Sequence, residues 1–224
     1  MKTHTPLDGL PLRDNVHYVV VGQDPRDVMM SWEHHTANMD VDVIVESRAE
    51  AIGLDDLGEY EEEIAASGST LDPAARFRQF TDAERSPRRM VGLTNVLHHL
   101  DTGRTHRRAP NVGLFHYLDY RRDLVEQMVR LADVCAIDIS RERLAELAPE
   151  AGIDRMRERA DEVVPDVSAS DHFEDHSRFF RSGAAGEWAE RTNADDRAHY
   201  YERVAQLVAP EVARWVHQAG DLTD

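Results

Sequence analysis

Lys2 and His4 lie two residues apart in the segment KTHTP and could together activate a hydroxyl group. An imidazole titrates near pH ~6.5, so His4 can act as a general base that accepts a hydroxyl proton. The ammonium group of Lys2 can stabilise negative charge that develops during the same reaction. The alternative, on spacing alone, is that both are frayed terminal residues without a role.

A second segment, from Gln23 to Asp27 with Ser31 about two helical turns later, has features of an anion site. Asp24 is a favourable N-cap, Pro25 suits the first helical position, and Asp27 suits the first turn. Backbone amides at such a helix start, with the Ser31 hydroxyl, could hold a phosphate. The alternative is an ordinary capped turn.

A third segment, FFRSGAAGEW at 179–188, combines Arg181 with Gly183 and Gly186. Glycines allow backbone N–H groups to approach a phosphate closely, and a guanidinium group adds two parallel hydrogen bonds. A single glycine-rich loop is weak evidence, and a flexible surface loop is the alternative.

The elements that must position these residues are a strand and a helix near the start of the chain. The apolar stretch VHYVVVG, Val16–Gly22, predicts a buried strand of a parallel sheet. The capped helix after it would begin near the carboxyl end of that strand, which is where open α/β sheets bind anionic ligands.

Later segments repeat the order of strand and helix. Val112–Tyr117 predicts a second strand, and Leu124, Met128 and Leu131 follow the i, i+4, i+7 spacing of an amphipathic helix. Acidic residues accumulate between Asp40 and Thr81, where a solvated surface is favoured over an acid-lined cover for a substrate. Alternating strands and helices predict an α/β fold with a parallel sheet. The further predicted helices are Arg141–Leu147, Asp154–Val163 and Asp195–Gln218, the last interrupted at Pro210.

The composition describes a globular protein with an acidic surface. The 224 residues include 26 Lys and Arg against 43 Asp and Glu, a formal net charge of −17. This excess of acid argues against nucleic-acid or anionic-membrane partners. No apolar run is long enough to span a bilayer, and no export signal opens the chain, so a cytoplasmic location is expected. The single Cys135 excludes an internal disulfide.

Taken in order, the segments KTHTPLDGLP, VVVGQDPRDVMMS, HYLDY and RSGAAGEW resemble motifs of the cytosolic-type sulfotransferases. The similarity is greatest to bacterial members that act on aryl or glycolipid hydroxyls. The family has a KTHLP segment, a strand and turn of the type YVARNPKDVAVS, a YED segment and a late RKGxxGDW loop. Several motifs in one order are far more specific than any single match.

The resemblance implies an enzyme that transfers a sulfuryl group from 3′-phosphoadenosine 5′-phosphosulfate to a hydroxyl group. It implies a single α/β domain, residues 1–224, with the P-loop-NTPase-like sulfotransferase fold. His4 matches the family's general base, and Lys2 the lysine that assists at the sulfuryl group. The implied donor-binding positions are Ser31, Arg181 and Gly183 at the 3′-phosphate, Tyr117 at the adenine, and Gln23 in the turn after the strand.

Some residues depart from the family pattern. Gln23 stands where the family has a phosphate-binding arginine, and Ser182 where it has a lysine. The family's adenine-contacting TSF segment appears as AGI at 151–153. The YPKSGTTW strand and loop that bind the 5′-phosphosulfate have no counterpart, so the chain is expected to be N-terminally truncated. The alternative function is a non-catalytic descendant that binds an adenosine phosphate or a protein partner.

The resemblance implies a small-molecule or glycolipid acceptor and no metal cofactor. The histidine pairs His34–His35 and His98–His99, together with His172 and His176, are therefore interpreted as surface or packing residues. Trp188, which matches the tryptophan of the late loop, is interpreted as a packing residue. The sequence predicts neither the acceptor nor the oligomeric state.

Overall fold

A computed structural model describes residues 3–40, 42–43, 46, 72–86, 91–164, 173–180, 184–220 and 222. Two parallel strands lie at its centre, β1 (Tyr18–Gly22) and β2 (Val112–His116). Tyr18 pairs with Val112 and Gly22 with His116, so both strands end at the same edge of the sheet. The predicted α/β class and the parallel pairing are confirmed.

Helices surround this pair of strands. They are α1 (Pro25–Thr36), α2 (Pro73–Asp82), α3 (Leu93–His106), α4 (Tyr117–Arg122), α5 (Leu124–Val134), α6 (Arg141–Leu147), α7 (Ile153–Glu158), α8 (Ala160–Val163), α9 (Trp188–Arg191), α10 (Ala194–Leu207) and α11 (Pro210–Gln218). Short 3₁₀ helices lie at Leu7–Gly9, Ala148–Ala151 and His176–Phe180.

Most helix predictions are confirmed. The predicted helix at Arg141–Leu147 has the same bounds in the structure, and the segment Asp195–Gln218 is divided by Pro210, which begins α11. The predicted helix Asp154–Val163 is instead two short helices, because Arg159 leaves the helical conformation at φ −109° and ψ 26°. The predicted second strand ends one residue early, since Tyr117 already begins α4.

The main core lies where α1, α2, α3, α10 and α11 meet one face of the sheet. Its buried members are Leu7, Val20, Met29, Met30, Phe77, Phe80, Leu93, Leu97, Leu100, Val112, Tyr200, Val204, Val212, Trp215 and Val216. A smaller cluster of Ala160, Val164 and Phe180 lies under the segment that precedes the late glycine-rich loop.

The prediction that β1 is buried on both faces is wrong. Val20 is 4% exposed, whereas Val19 and Val21 are 41% and 51% exposed. Successive side chains of a strand point to opposite faces, so one face of β1 is packed and the other is open. Within the described residues β1 pairs with β2 alone, and the packed face is the one that meets the main core.

The two longest helices that were not predicted from the sequence lie in regions that looked acidic or featureless. These are α2 and α3, and α2 begins inside the segment Asp40–Thr81, most of which lies outside the described residues. In the part of the chain that the structure describes, no helix is long and apolar enough to cross a membrane.

Candidate functional site

The turn from β1 into α1 is organised by two buried, oppositely charged side chains. Asp24 caps the helix by accepting a hydrogen bond from the Arg26 backbone N–H at 3.0 Å, as the sequence predicts. Its carboxylate also accepts from Nε of Arg26 at 2.9 Å and from Nη2 at 2.6 Å. The Arg26 amide is therefore already occupied by a carboxylate and is not one of the amides that could hold a phosphate.

Asp27, in the first turn of the same helix, binds the end of the late loop. Its Oδ1 accepts a hydrogen bond of 2.7 Å from the backbone N–H of Gly186, which is 159 residues away in sequence. Gly186 has φ +91°, a conformation that glycine adopts without strain. Burial raises the pKa of Asp27, and the hydrogen bond from Gly186 opposes this shift.

The face of α1 that meets the late loop includes Ser31. Asp27, Ser31 and His34 follow the i, i+4, i+7 spacing of one helix face. Asp27 contacts Gly186, and Nε2 of His34 lies 3.2 Å from the carboxylate of Glu187. Ser31 is exposed and lies between these two contacts along the helix. Its hydroxyl is therefore on the side of α1 that faces the late loop.

Trp188, the last residue of the late loop, packs on the buried arginine. The guanidinium carbon of Arg26 lies 3.7 Å from the centroid of the Trp188 ring, within the range of a cation–π contact. Nη1 of Arg26 also donates to the hydroxyl of Tyr201 at 2.7 Å. Trp188 packs against the main core as well, which confirms its interpretation as a packing residue.

Ion pairs continue the attachment of α9 to α1. Glu33 accepts from Arg191 at 3.1 Å and from Arg76 of α2 at 2.8 Å. Arg191 also pairs with Glu187. The loop end and α9 are thus held along about two turns of α1.

The segment on the other side of the late loop is anchored separately. Phe180 is 7% exposed and packs with α8, while its carbonyl accepts a hydrogen bond from Nε of Arg157 at 2.8 Å. The predicted phosphate-binding residues Arg181 and Gly183, and Ser182 between them, lie outside the described residues. Their flanks at Phe180 and Gly186 are held by α7 and α1, and His35 of α1 also contacts Phe179, with the ring centroids 5.5 Å apart.

Gln23 and Tyr117 lie at the common carboxyl edge of the two strands. Gln23 follows Gly22 of β1, and Tyr117 follows His116 of β2, and these two preceding residues are partners in the sheet register. Both Gln23 and Tyr117 are partly exposed. The predicted adenine-contacting position and the turn position therefore lie at one edge of the sheet.

The amino-terminal segment passes along α3. His4 is exposed, and Lys2 lies outside the described residues. Leu7, 4% exposed, anchors the segment, and its N–H donates to Oγ1 of Thr102 at 3.2 Å. Asp8 forms a 3.0 Å ion pair with His98, also on α3.

His99, which the sequence suggested is only a surface or packing residue, lies close enough to His4 to be affected by its charge. Burial lowers the pKa of His99, and the nearby His4 and His98 lower it further. Both the predicted general base, His4, and the neighbouring His98 therefore lie close to His99. The repeated histidines of α3 were the available signal, but nothing in their spacing links them to residue 4.

Metal ligation was also considered for the histidines. Over the described residues, no group of three or more His, Cys, Asp or Glu side chains is arranged to hold a metal ion. His172 lies outside these residues, whereas His176 pairs with Asp161 at 2.9 Å.

Comparison with known proteins gives a consistent result. The model of the sulfotransferase domain family matches residues 1–211. A glycolipid sulfotransferase of Mycobacterium bovis is 37% identical over 232 residues, which cover 97% of this chain and 69% of that protein. A glycolipid sulfotransferase of Mycobacterium tuberculosis is 36% identical over 231 residues, with the same coverage.

Solved structures share the fold at lower identity. A mouse sulfotransferase complexed with PAP superimposes with a TM-score of 0.67 at 16% identity, covering 96% of this chain and 67% of that one. Retinol dehydratase in complex with retinol and PAP gives 0.62 at 20% identity, covering 92% and 52%. The fold expected from the sequence motifs is therefore confirmed.

Proposed function

The chain belongs to the sulfotransferase family, and we propose that it transfers a sulfuryl group from 3′-phosphoadenosine 5′-phosphosulfate to a hydroxyl of a glycolipid or other small molecule, with His4 as general base. The glycolipid acceptor is suggested by the two mycobacterial relatives, which are glycolipid sulfotransferases. The desulfated donor, 3′-phosphoadenosine 5′-phosphate, is the PAP bound by the structural relatives.

The observation that carries this proposal is the face of α1 around Ser31. A phosphate site built from Ser31 and Arg181 requires two segments about 150 residues apart in sequence to meet. The contacts of Asp27 with Gly186 and of His34 with Glu187 bring the end of the late loop to that face. An exposed hydroxyl between the two contacts fits a donor phosphate bound there.

In the proposed reaction, His4 removes the proton from the acceptor hydroxyl as the oxygen attacks the sulfur atom. The new S–O bond forms while the bond between sulfur and the donor's phosphate oxygen breaks, and the phosphate leaves with the electron pair. Lys2 offsets negative charge at the transferred group. Ser31, Arg181 and the Gly183 backbone hold the 3′-phosphate, with Gln23 in the adjoining turn and Tyr117 at the adenine. Catalysis then rests mainly on positioning and charge stabilisation.

Measurements of donor binding and of turnover, made on two variants, test the proposal. Calorimetric titration with 3′-phosphoadenosine 5′-phosphate should show saturable one-to-one binding that Arg181→Ala weakens by roughly tenfold or more, because a charge-assisted bidentate contact is lost. His4→Ala should bind the same ligand normally but lower kcat for sulfuryl transfer to a glycolipid or aryl hydroxyl by about 10²-fold or more.

Each half of this experiment can fail on its own. Absence of binding by the folded chain would reject the donor site. Normal binding without transfer to any acceptor would leave the non-catalytic descendant as the better description. Unchanged kcat in His4→Ala would reject His4 as the base.

A further inference from the structure

The helix face that carries Ser31 is held to the late loop by a hydrogen bond that sequence motifs do not assign. Asp27 is 8% exposed, and its Oδ1 accepts from the Gly186 N–H at 2.7 Å. Gly186 lies just before α9, and Asp27 lies in the first turn of α1. The two residues therefore belong to separate elements that are far apart in sequence. Together with the contacts of His34 with Glu187 and of Arg26 with Trp188, this bond holds the loop end beside the α1 face of Ser31.

A carboxylate is an unfavourable choice at this position if packing alone is considered. Burial raises the pKa of Asp27, and the neighbouring carboxylates of Asp24 and Glu187 raise it as well. A buried charge is costly unless a specific partner needs it. The Gly186 amide is such a partner, because it donates to Oδ1 of Asp27 and so offsets part of the cost of burying that oxygen.

The loop end adopts a backbone conformation that favours glycine. Gly186 has φ +91°, and an added Cβ would meet no atom within 4 Å. The backbone conformation, not crowding, therefore determines which residue fits there. Two residues after Gly186, the ring of Trp188 stacks on Arg26, with the guanidinium carbon 3.7 Å from the ring centroid. Two successive residues of α1, Arg26 and Asp27, thus hold both ends of the short segment 186–188.

We propose that Asp27 is a positioning residue for the donor's 3′-phosphate, acting through its hydrogen bond to the Gly186 N–H to hold the loop end, residues 186–188, against the α1 face of Ser31. This inference rests on the proposed donor site. Asp27 does not touch the phosphate in this scheme, and its negative charge disfavours an anion nearby. Its contribution is the acceptor oxygen, so an amide at position 27 should preserve it.

Two substitutions at position 27 distinguish the role of the acceptor oxygen from that of the negative charge. Asp27→Ala removes the acceptor and should weaken binding of 3′-phosphoadenosine 5′-phosphate by roughly tenfold or more, the equivalent of one hydrogen bond to a charged group. Asp27→Asn keeps an acceptor oxygen and removes the charge, so its dissociation constant should stay within about threefold of wild type or improve. Gly186→Ala disturbs the same bond from the other partner and should weaken binding as Asp27→Ala does.

Asp123→Ala is the matched control. Asp123 also accepts one backbone N–H, from Glu126 at 3.0 Å, but it caps the start of α5 and not α1. Its variant should bind the ligand as wild type does. Thermal unfolding of every variant identifies those that are folded at the assay temperature.

Hydrogen exchange at the Gly186 amide provides a readout without any ligand. Exchange should be faster by about tenfold or more in Asp27→Ala and near wild type in Asp27→Asn, because only the former loses the acceptor. Wild-type binding by folded Asp27→Ala, or binding by Asp27→Asn as weak as that of Asp27→Ala, would overturn the positioning role. If wild type binds no ligand, the proposed donor site fails and the positioning role fails with it. The Gly186 exchange rates would then still show whether Asp27 fixes the loop.

Discussion

At the scale of single residues, the arginine in the turn after β1 has a different role from the one its surroundings suggest. A cation beside a helix start, close to a predicted phosphate site, would usually be read as an anion ligand. The guanidinium group of Arg26 is instead enclosed by Asp24, Tyr201 and the face of Trp188. It is 5% exposed, so its charge is used inside the protein.

Removal of this arginine should therefore cost more stability than loss of an ordinary ion pair. Arg26→Ala leaves the buried Asp24 carboxylate without its partner and should lower the free energy of unfolding by about 3–5 kcal/mol. Arg143→Ala is the control, because Arg143 and Glu146 form a 2.7 Å pair that is mostly exposed, and no measurable change is expected. Urea denaturation of both variants measures the difference, and equal midpoints would contradict the argument.

At the scale of elements, local sequence signals mark the starts of helices well. They do not predict the long-range contacts between the elements. Asp24 and Pro25 mark the start of α1, and the same pair of residue types at Asp72 and Pro73 marks α2, a signal that was present but not used. The spacing of Leu93, Leu97 and Leu100 likewise fits α3, where all three are buried. The sequence therefore contains sufficient local signals for both helices.

The tertiary part of the candidate site could not have been predicted in this way. Nothing in local spacing links Asp27 with Gly186, or His4 with His99, because these contacts depend on how separate elements pack. The family resemblance supplied the residues at the proposed phosphate site, but it did not supply the bond that holds the loop there. The open face of β1 could not be predicted either, because an apolar run does not reveal which elements cover the strand.

The two faces of β1 give a direct test at this scale. Val20→Ala removes two methyl groups from the main core and should lower the free energy of unfolding by about 2 kcal/mol. Val21→Ala makes the same chemical change one residue later, on the open face, and should change it by less than about 0.5 kcal/mol. Similar losses in both variants, measured by urea denaturation, would show that the open face is packed in solution.

At the scale of the whole molecule, the buried His116 and the half-buried His217 make the fold sensitive to mild acid. His116 donates from Nε2 to the carbonyl of Val216 at 3.1 Å, while its Nδ1 accepts from the N–H of Leu118 at 3.2 Å. His217 donates from Nδ1 to the carbonyl of Ala213 at 2.6 Å and can accept from the hydroxyl of Tyr200, which lies 3.0 Å from its Nε2. One donor and one acceptor on each ring require neutral imidazole.

Stability should therefore fall as the pH is lowered from 7.5 to 5.5. Burial lowers the pKa of both His116 and His217, so the unfolded chain binds protons below about pH 6.5 more readily than the folded one. Each histidine can then reduce the free energy of unfolding by at most about 1.4 kcal/mol per pH unit. Asp27 acts in the opposite direction, because burial raises its pKa and its protonation favours the folded state.

Urea denaturation at the two pH values measures this dependence, and His217→Gln isolates one contribution. A glutamine amide oxygen can replace the acceptor that faces Tyr200 but does not titrate, so the loss of stability between pH 7.5 and 5.5 should be smaller in this variant. His17→Gln, a change at an exposed position outside this network, should keep the full wild-type dependence. Equal dependence in His217→Gln and wild type would mean that His217 does not stay neutral in the folded protein, and the link between its burial and acid sensitivity would be lost.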